Sequence, residues 1–417
     1  MNKSFKKINN KWSNIEKFKN LYNSYKSYIK LLLILFNLLL SYNIRNGDTN
    51  DIYQGNNLIR IAYYCVSIKY GGVERVISIL INYLSKEKIF SHYLITESGI
   101  LEGEYSLPNK TKRIILSKGS LLRIINKNRI DILIYNFYNK REIVKLNRLK
   151  STKIIYYDHS SFLLWIYSKK YNFKKTVYNV YRKCKYVISL IPVENDYLFK
   201  KWGINSILMD NPTSFEYDSV VPSDLNSKNI IMIGRAGDPS KRFDLGIKSM
   251  QSIIKEIKLC QMNIISTPTE SYEKLILDLK IEKNVRFIGF HKKIEDYLKN
   301  SSLHILTSLS ESYSMALGET KLYGIPSIIC GLDYLTLAKG GTVIIYDDNP
   351  DNIAKVAIKI LKNKKYRKQL GKEARESMKK CKNELIMKKW VKLLLSVYRG
   401  DDKYYQKLFS NEENKIN

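Results

Sequence analysis

The chain has 417 residues, with 71 Lys or Arg against 39 Asp or Glu and a formal net charge of +32. That length is too great for one ordinary domain and suits two of about 150–200 residues with extensions. The five cysteines, Cys65, Cys184, Cys260, Cys330 and Cys381, show no C-x-x-C spacing; this excludes a zinc or disulfide framework and leaves small buried residues of a reducing compartment. Two readings of the charge stand open: attraction to a polyanion, or the coding bias of a chain rich in Lys, Asn, Ile and Tyr. With no zinc-finger spacing, RNP-like strand or arginine-rich arm, a nucleic-acid partner is not expected.

Residues 1–57 read as a basic N-terminal extension with a short apolar helix and a linker. The run "LLLILFNLLL", residues 31–40, falls short of the roughly 20 apolar residues of a membrane span, and no A-x-A-like cleavage site follows it. It suits a helix lying in the membrane interface, leucines below and lysines above, or else one packed on the protein's own surface.

From residue 58 the pattern changes to strands and helices. "LIRIAYYCV" is a buried strand, "SIKYGG" a turn, and "VERVISILINYLSKE" a helix with its apolar residues on one face. Strand, glycine turn and helix open a doubly wound α/β domain. Gly71 and Gly72 are either a loop tip near a substrate, where helix N–H groups favour an anion, or a plain tight turn. Further strands are expected at "HYLIT", "DILIYN", "KIIYYDHSS", "KYVISLI" and "NSILMDNP", with a helix through "VENDYLFKKWG". His159 falls just past the C-terminal end of a strand, where open α/β sheets place ligands; it is a candidate substrate contact, although a lone histidine is more often structural.

The aperiodic stretch 213–228 reads as a hinge. The cycle then restarts: strand "IIMIGR", loop "AGDPSK", helix "RFDLGIKSMQSIIKEI", and strands at "MNIIST", "NVRFIGF", "LHILTS", "PSIICG" and "TVIIYDD" separated by helices. The expected architecture is α/β: two Rossmann-like domains, 58–212 and 229–398, facing each other across a cleft. The second carries terminal helices, and a charged tail follows at 399–417.

The stretch "LSESYSMALGETKLYGIP" places Glu311 in the loop after a strand and Glu319 one turn into the following helix. The N–H groups of Ser312, Tyr313, Ser314 and Met315 are first-turn donors able to cradle a phosphate. Glu319 can accept hydrogen bonds from a vicinal diol. Arg235 at a strand's end and Lys241 at a helix start supply two cations for a diphosphate. Together these groups describe a site for a nucleoside diphosphate carrying a sugar.

"GGVERV", "IGRAGDPSKRFDLGI" and "ESYSMALGETKLYGIP", in this order, resemble the three signature regions of the retaining glycosyltransferases of family 4, which have the two-domain GT-B fold. The resemblance covers about residues 58–398 and implies roles. Glu319 would hold the ribose hydroxyls, and Glu311 would contact the donor sugar near its reacting carbon. Arg235 and Lys241 would clamp the diphosphate and stabilise the leaving group, His159 would lie close to the sugar, and the Gly71–Gly72 turn would face the diphosphate and acceptor. Where many members carry Gly-Phe-Gly after the first glutamate, Ser312, Tyr313 and Ser314 stand here. The absence of Asp-x-Asp fits a site with no metal and no cofactor beyond the nucleotide-sugar co-substrate.

The implied activity is that of a hexosyltransferase-type enzyme. A sugar, UDP-linked, passes to a glycan or lipid-linked acceptor in bacterial surface-polysaccharide synthesis, at the cytoplasmic face of an anionic membrane. Two alternatives are a nucleotide-sugar epimerase of the same fold and a noncatalytic basic protein that binds nucleic acid or membrane.

Overall fold

The computed structural model describes residues 58–402 apart from 70, 117–119, 138, 150, 163–165, 167–170 and 290–293. The apolar run at 31–40, the rest of the N-terminal extension and most of the charged tail lie outside the described residues.

The first sheet is built from β1 (Ile59–Cys65), β2 (Phe90–Thr96), β3 (Lys112–Ile115), β4 (Ile132–Tyr135), β5 (Lys153–Tyr157), β6 (Tyr186–Ser189) and β7 (Ile207–Leu208), in the order β3-β2-β1-β4-β5-β6-β7. Every pairing is parallel. The crossovers carry α1 (Gly72–Leu84), α2 (Leu121–Lys127), α3 (Lys140–Leu146), α4 (Tyr171–Tyr181) and α5 (Pro192–Trp202). Because helices cover both faces of a parallel sheet, its central strands need apolar residues on both sides. The runs Ile-Leu-Ile-Tyr of β4 and Tyr-Val-Ile-Ser of β6 are buried at every position.

The second sheet comprises β8 (Asn229–Ile233), β9 (Gln261–Ile265), β10 (Val285–Phe287), β11 (Leu303–Leu306), β12 (Ser327–Cys330) and β13 (Thr342–Ile345), again all parallel, in the order β10-β9-β8-β11-β12-β13. Its helices are α6 (Phe243–Glu256), α7 (Glu270–Asp278), α8 (Glu295–Lys299), α9 (Met315–Leu322), α10 (Pro350–Lys362) and α11 (Lys364–Ser377). Met232, Ile264, Ile305 and Ile328 of the sheet pack with Met250 of α6 and Ile353 of α10 in its core. In each sheet the strand order reverses beside the first strand, between β1 and β4 and between β8 and β11. The crevice at that reversal, outside the strands' carboxyl ends, is where such sheets bind ligands.

Helix α11 packs on α9 and on the loop before β13 at backbone distance. Gly341 adopts φ +65, and a Cβ there would lie 2.3 Å from the carbonyl oxygen of Leu370 and 2.5 Å from the Cβ of Ala374. A Cβ on Gly371 would lie 2.4 Å from the carbonyl oxygen of Gly324. Glycine and alanine are therefore what let α11 close on the turn that ends α9.

The last helix, α12 (Asn383–Arg399), returns to the first sheet's domain, packing on α1 and against β4. Its Trp390 is fully buried, with its ring 5.3 Å from that of Tyr157. Asn383 fixes the start of the helix. Its Oδ1 accepts the Thr213 N–H at 2.8 Å, and its Nδ2 donates to the Tyr83 hydroxyl at 3.1 Å.

The structure adds four elements that sequence periodicity does not reveal. Strand β3 is an edge strand with no buried position. Helices α2 and α3 have only seven residues each. Helix α4, YNFKKTVYNVY, buries Val177, Val180 and Tyr181 among lysines, asparagines and other tyrosines, so its apolar face is hard to see.

Candidate active site

The carboxyl edges of the two sheets face one another across a cleft of about 300 Å³. The first domain contributes Gly71, Gly72, Arg75, Tyr105, His159 and Asn211. The second contributes Gly234, Arg235, Lys241, Glu311, the Ser312–Ser314 turn and Glu319. All eleven residues singled out in the sequence thus line one cavity.

Gly71 is the N-cap of α1, with no side-chain cap. A Cβ there would overlap the Glu74 carboxylate, which folds back over the helix start, and a Cβ on Gly72 would lie 3.8 Å from Met315 across the cleft. The pair is a close approach of backbone to the opposite domain. Burial raises the Glu74 carboxyl above its usual range, opposed by a hydrogen bond to its own backbone and by the positive field of Arg235.

His159 follows β5. Its ring lies 4.0 Å from that of Tyr157, its buried Nε2 has no hydrogen-bond partner, and burial pushes its pKa down to about 3. It is therefore a neutral imidazole with an unsatisfied nitrogen beside the cleft. Its carbonyl accepts the Ser312 hydroxyl at 2.8 Å, a direct tie between the domains.

The preceding residue sits in a buried cluster of acids. Tyr181 donates to Asp158 and lies 3.0 Å from Glu194 Oε1, while Asp158 Oδ1 accepts the N–H and hydroxyl of Ser160 at 2.8 and 2.7 Å. Burial first, and then the Asp158 charge, push the Glu194 carboxyl well above the normal range. The surroundings of Glu194 thus disfavour its ionised form, and through Tyr181 and Asp158 the cluster braces the turn carrying His159. A carboxyl raised in the folded state favours folding fully below its unfolded pKa, near 4.3, and that contribution is lost as pH rises toward the folded value. Glu194→Gln mimics the protonated form. Its stability relative to the native chain is expected to rise by about 1 kcal/mol per pH unit above that point, read by urea denaturation at pH 5 and pH 8. Equal differences at the two pH values would contradict the assignment.

In the second domain, β8 delivers Gly234 and Arg235. A 3-10 turn, Pro239–Lys241, follows, with Asp238 as its cap. Lys241 Nζ donates to Glu311 Oε1 at 2.6 Å, and the Ser308 hydroxyl donates to the same oxygen at 2.7 Å. The Tyr334 hydroxyl accepts the Glu311 N–H at 3.0 Å and donates to its carbonyl at 3.1 Å. Glu311 is thereby held through both side chain and backbone. The Arg235 side chain is 73% exposed and 3.7 Å from Asp238, a loose contact that leaves its guanidinium directed to solvent.

Helix α9 begins after Ser314, which adopts φ 64 and ψ 84, a left-handed conformation costing a non-glycine residue about 1–2 kcal/mol. Its hydroxyl offsets part of that cost by accepting the Leu317 N–H at 3.4 Å. Serine at a position whose backbone suits glycine keeps the turn's shape. The N–H groups of Met315 and Ala316, which line the cleft, meet no acceptor among the described residues. The Tyr313 ring is buried, its hydroxyl 3.7 Å from Cys381 Sγ, so only its backbone can serve the cleft.

Glu319 projects from α9 and is 1% exposed. Its Oε1 accepts from Arg75 Nη1 at 2.5 Å and from the Ser214 hydroxyl at 2.6 Å. Arg75 is the residue that sequence reasoning passed over, although it stands one turn beyond the glycine pair and on the helix face turned to the cleft. Tyr334 and Ser214 offered no local signal, since their partners lie 23 and 105 residues away. Among the described residues, no cluster of three or more His, Cys, Asp or Glu could hold a metal ion, and no helix is long and apolar enough to cross a membrane.

Residues 214–377 match the family model described as glycosyl transferases group 1. N-acetyl-alpha-D-glucosaminyl L-malate synthase of Bacillus anthracis is 28% identical over 133 residues, 31% of this chain and 35% of that enzyme. The match thus spans about a third of that relative's length. Among solved structures, sucrose-phosphate synthase of Thermosynechococcus elongatus superposes with a TM-score of 0.70 at 15% identity, covering 82% of this chain and 100% of that one. Anabaena HepE in complex with UDP and glucose superposes with a TM-score of 0.66 at 13% identity, covering 81% and 100%. At such identities the likeness is one of fold.

Proposed function

We propose that this chain, whose residues 214–377 match the group 1 glycosyltransferases and whose two-domain fold is GT-B, transfers a sugar from a UDP-linked donor to a hydroxyl of a glycan or lipid-linked glycan, retaining the anomeric configuration. The observation that supports this best is the convergence of Lys241, Glu311, Arg235, the start of α9 and Glu319 on one cleft. The UDP bound by HepE supports the choice of nucleotide.

In this reading the donor diphosphate lies at the N-terminus of α9, its charge met by Met315 and Ala316 N–H groups and by Arg235 and Lys241. Glu319 receives the ribose, and Glu311 meets the sugar. The bond from C1 to the β-phosphate oxygen breaks, and C1 bonds the acceptor oxygen. The acceptor's proton passes to the departing phosphate. Arg235 and Lys241 stabilise the charge that grows on that phosphate. His159, neutral and unsatisfied at Nε2, takes a sugar hydroxyl from the other wall. Water is excluded as the domains close. In this reading the enzyme works on the cytoplasmic side in the assembly of a bacterial surface polysaccharide, and the net positive charge of the chain supports its attraction to an anionic membrane surface.

The test is sugar release and transfer from a panel of nucleotide sugars. Arg235→Ala is expected to lower transfer by about 10²-fold, with an unchanged melting temperature because its side chain touches almost nothing. Full activity of Arg235→Ala would remove it from the site, and epimerised donor without transfer would replace the reading with an epimerase.

A further inference from the structure

Glu319 is almost fully buried, yet the two donors that hold it come from outside its own sheet. Arg75 lies on α1 of the first domain, and Ser214 lies in the segment joining the domains. Arg75 Nη1 is 2.5 Å from Oε1 and 3.3 Å from the Ser214 hydroxyl, which is itself 2.6 Å from Oε1. The guanidinium is further fixed over the Tyr105 ring, 5.4 Å from its centroid. Three separate stretches of chain therefore meet on one carboxylate oxygen. The other oxygen, Oε2, accepts no hydrogen bond from any described residue, and Glu319 lines the cleft.

We propose that Arg75 is a positioning residue for the nucleotide's ribose: from the first domain it holds Oε1 of Glu319 so that Oε2 is presented to the ribose hydroxyls. The inference rests on the reading of the cleft as a nucleotide-sugar site. A carboxylate has about four acceptor positions, so engagement at Oε1 leaves Oε2 for a ligand. The charge matters as well. Hydrogen bonds to an ionised acceptor are about twice as strong as neutral ones. Without Arg75, Oε1 would keep only the Ser214 hydroxyl, and the ribose would face a less firmly held acceptor. Because Arg75 and Glu319 belong to different domains, nucleotide affinity also becomes linked to their being together, and the linkage is reciprocal.

The test compares UDP with 2′,3′-dideoxy-UDP on the full-length native chain, Arg75→Met and Arg75→Lys, by calorimetry. The native chain is expected to prefer UDP by about 10–100-fold, the range of hydrogen bonds to a charged group. Arg75→Met is expected to shrink that preference below about threefold while leaving the dideoxy affinity unchanged, a pattern general misfolding would not give. Arg75→Lys, which keeps the charge without the planar fork, falls between them and serves if the methionine variant does not fold. A native preference that persists in full in Arg75→Met or Arg75→Lys overturns the role of Arg75 alone, as does tighter UDP binding by either. A native chain that binds UDP and its dideoxy analogue equally removes Glu319 from the ribose and overturns the inference, whereas one that binds neither overturns the nucleotide reading on which it stands.

Discussion

Lys241→Met is expected to lower the turnover of sugar transfer by about 10²–10³-fold, the loss typical of removing one electrostatic donor from a reacting centre. Lys241 stands on the 3-10 turn after β8, and its Nζ lies 2.6 Å from Glu311 Oε1. Both side chains are mostly buried, at 18% and 12% exposure. Its removal has two consequences. The diphosphate loses a cation as negative charge gathers on the leaving oxygen, and Glu311 keeps only the Ser308 hydroxyl on that carboxylate oxygen. Methionine fills the same space, so the turn, capped by Asp238 and held by the Leu309 N–H on the Ser240 carbonyl at 2.7 Å, has no reason to move. The loss therefore belongs in turnover more than in UDP affinity, because the charge it meets is largest in the transition state. Single-turnover transfer combined with UDP calorimetry separates the two, and an unchanged rate would remove Lys241 from the chemistry.

The second large effect concerns stability. Gly341→Ala is expected to cost about 2–5 kcal/mol, the sum of a left-handed backbone and an overpacked contact. Gly341 has φ +65, and the added Cβ would meet the Leu370 carbonyl at 2.3 Å and the Ala374 nitrogen at 2.5 Å. The atoms it meets include the backbone of α11, which cannot swing aside as a flexible side chain can. Gly203 is the control. It has nearly the same φ, +64, but a Cβ added there would meet nothing within 4 Å, so Gly203→Ala bears the backbone term alone, about 1–2 kcal/mol. Urea denaturation of both variants measures the difference, and equal losses would show that α11 does not press on this turn. Because α11 also packs on α9, the helix carrying Glu319 is expected to loosen with Gly341→Ala.

Elements of the second sheet were legible because most of its strands carry pairs of Ile, Leu or Val bounded by glycine or polar turns, and because "PDNIAKVAIKILKN" shows a clear helical period. Strand β3 was not, since an exposed edge strand of Lys-Arg-Ile-Ile has no apolar face to display. At the cleft, the glycine pair, Glu311, Glu319, Arg235 and Lys241 could be named in the sequence, because each stands at a strand end or within about a turn of a helix start. What stayed hidden was their pairing. Nothing local says that Arg75 reaches Glu319 across 244 residues, or that Tyr334 braces the Glu311 backbone. Such contacts are decided by how the two sheets come together, and periodicity reports only on neighbours in the chain.

The return of α12 to the first sheet means that the polypeptide passes between the two halves twice, once through 213–228 and once near Asn383, whose side chain clasps Thr213 at the other passage. Any opening of the crevice must bend both passages together, like a door hung on paired pins, which favours rotation about the line between them over sliding. The first half is therefore not a contiguous segment: cutting the chain before Trp390 would strip away the ring packed on Tyr157, against which His159 lies, while leaving every strand of both sheets in place.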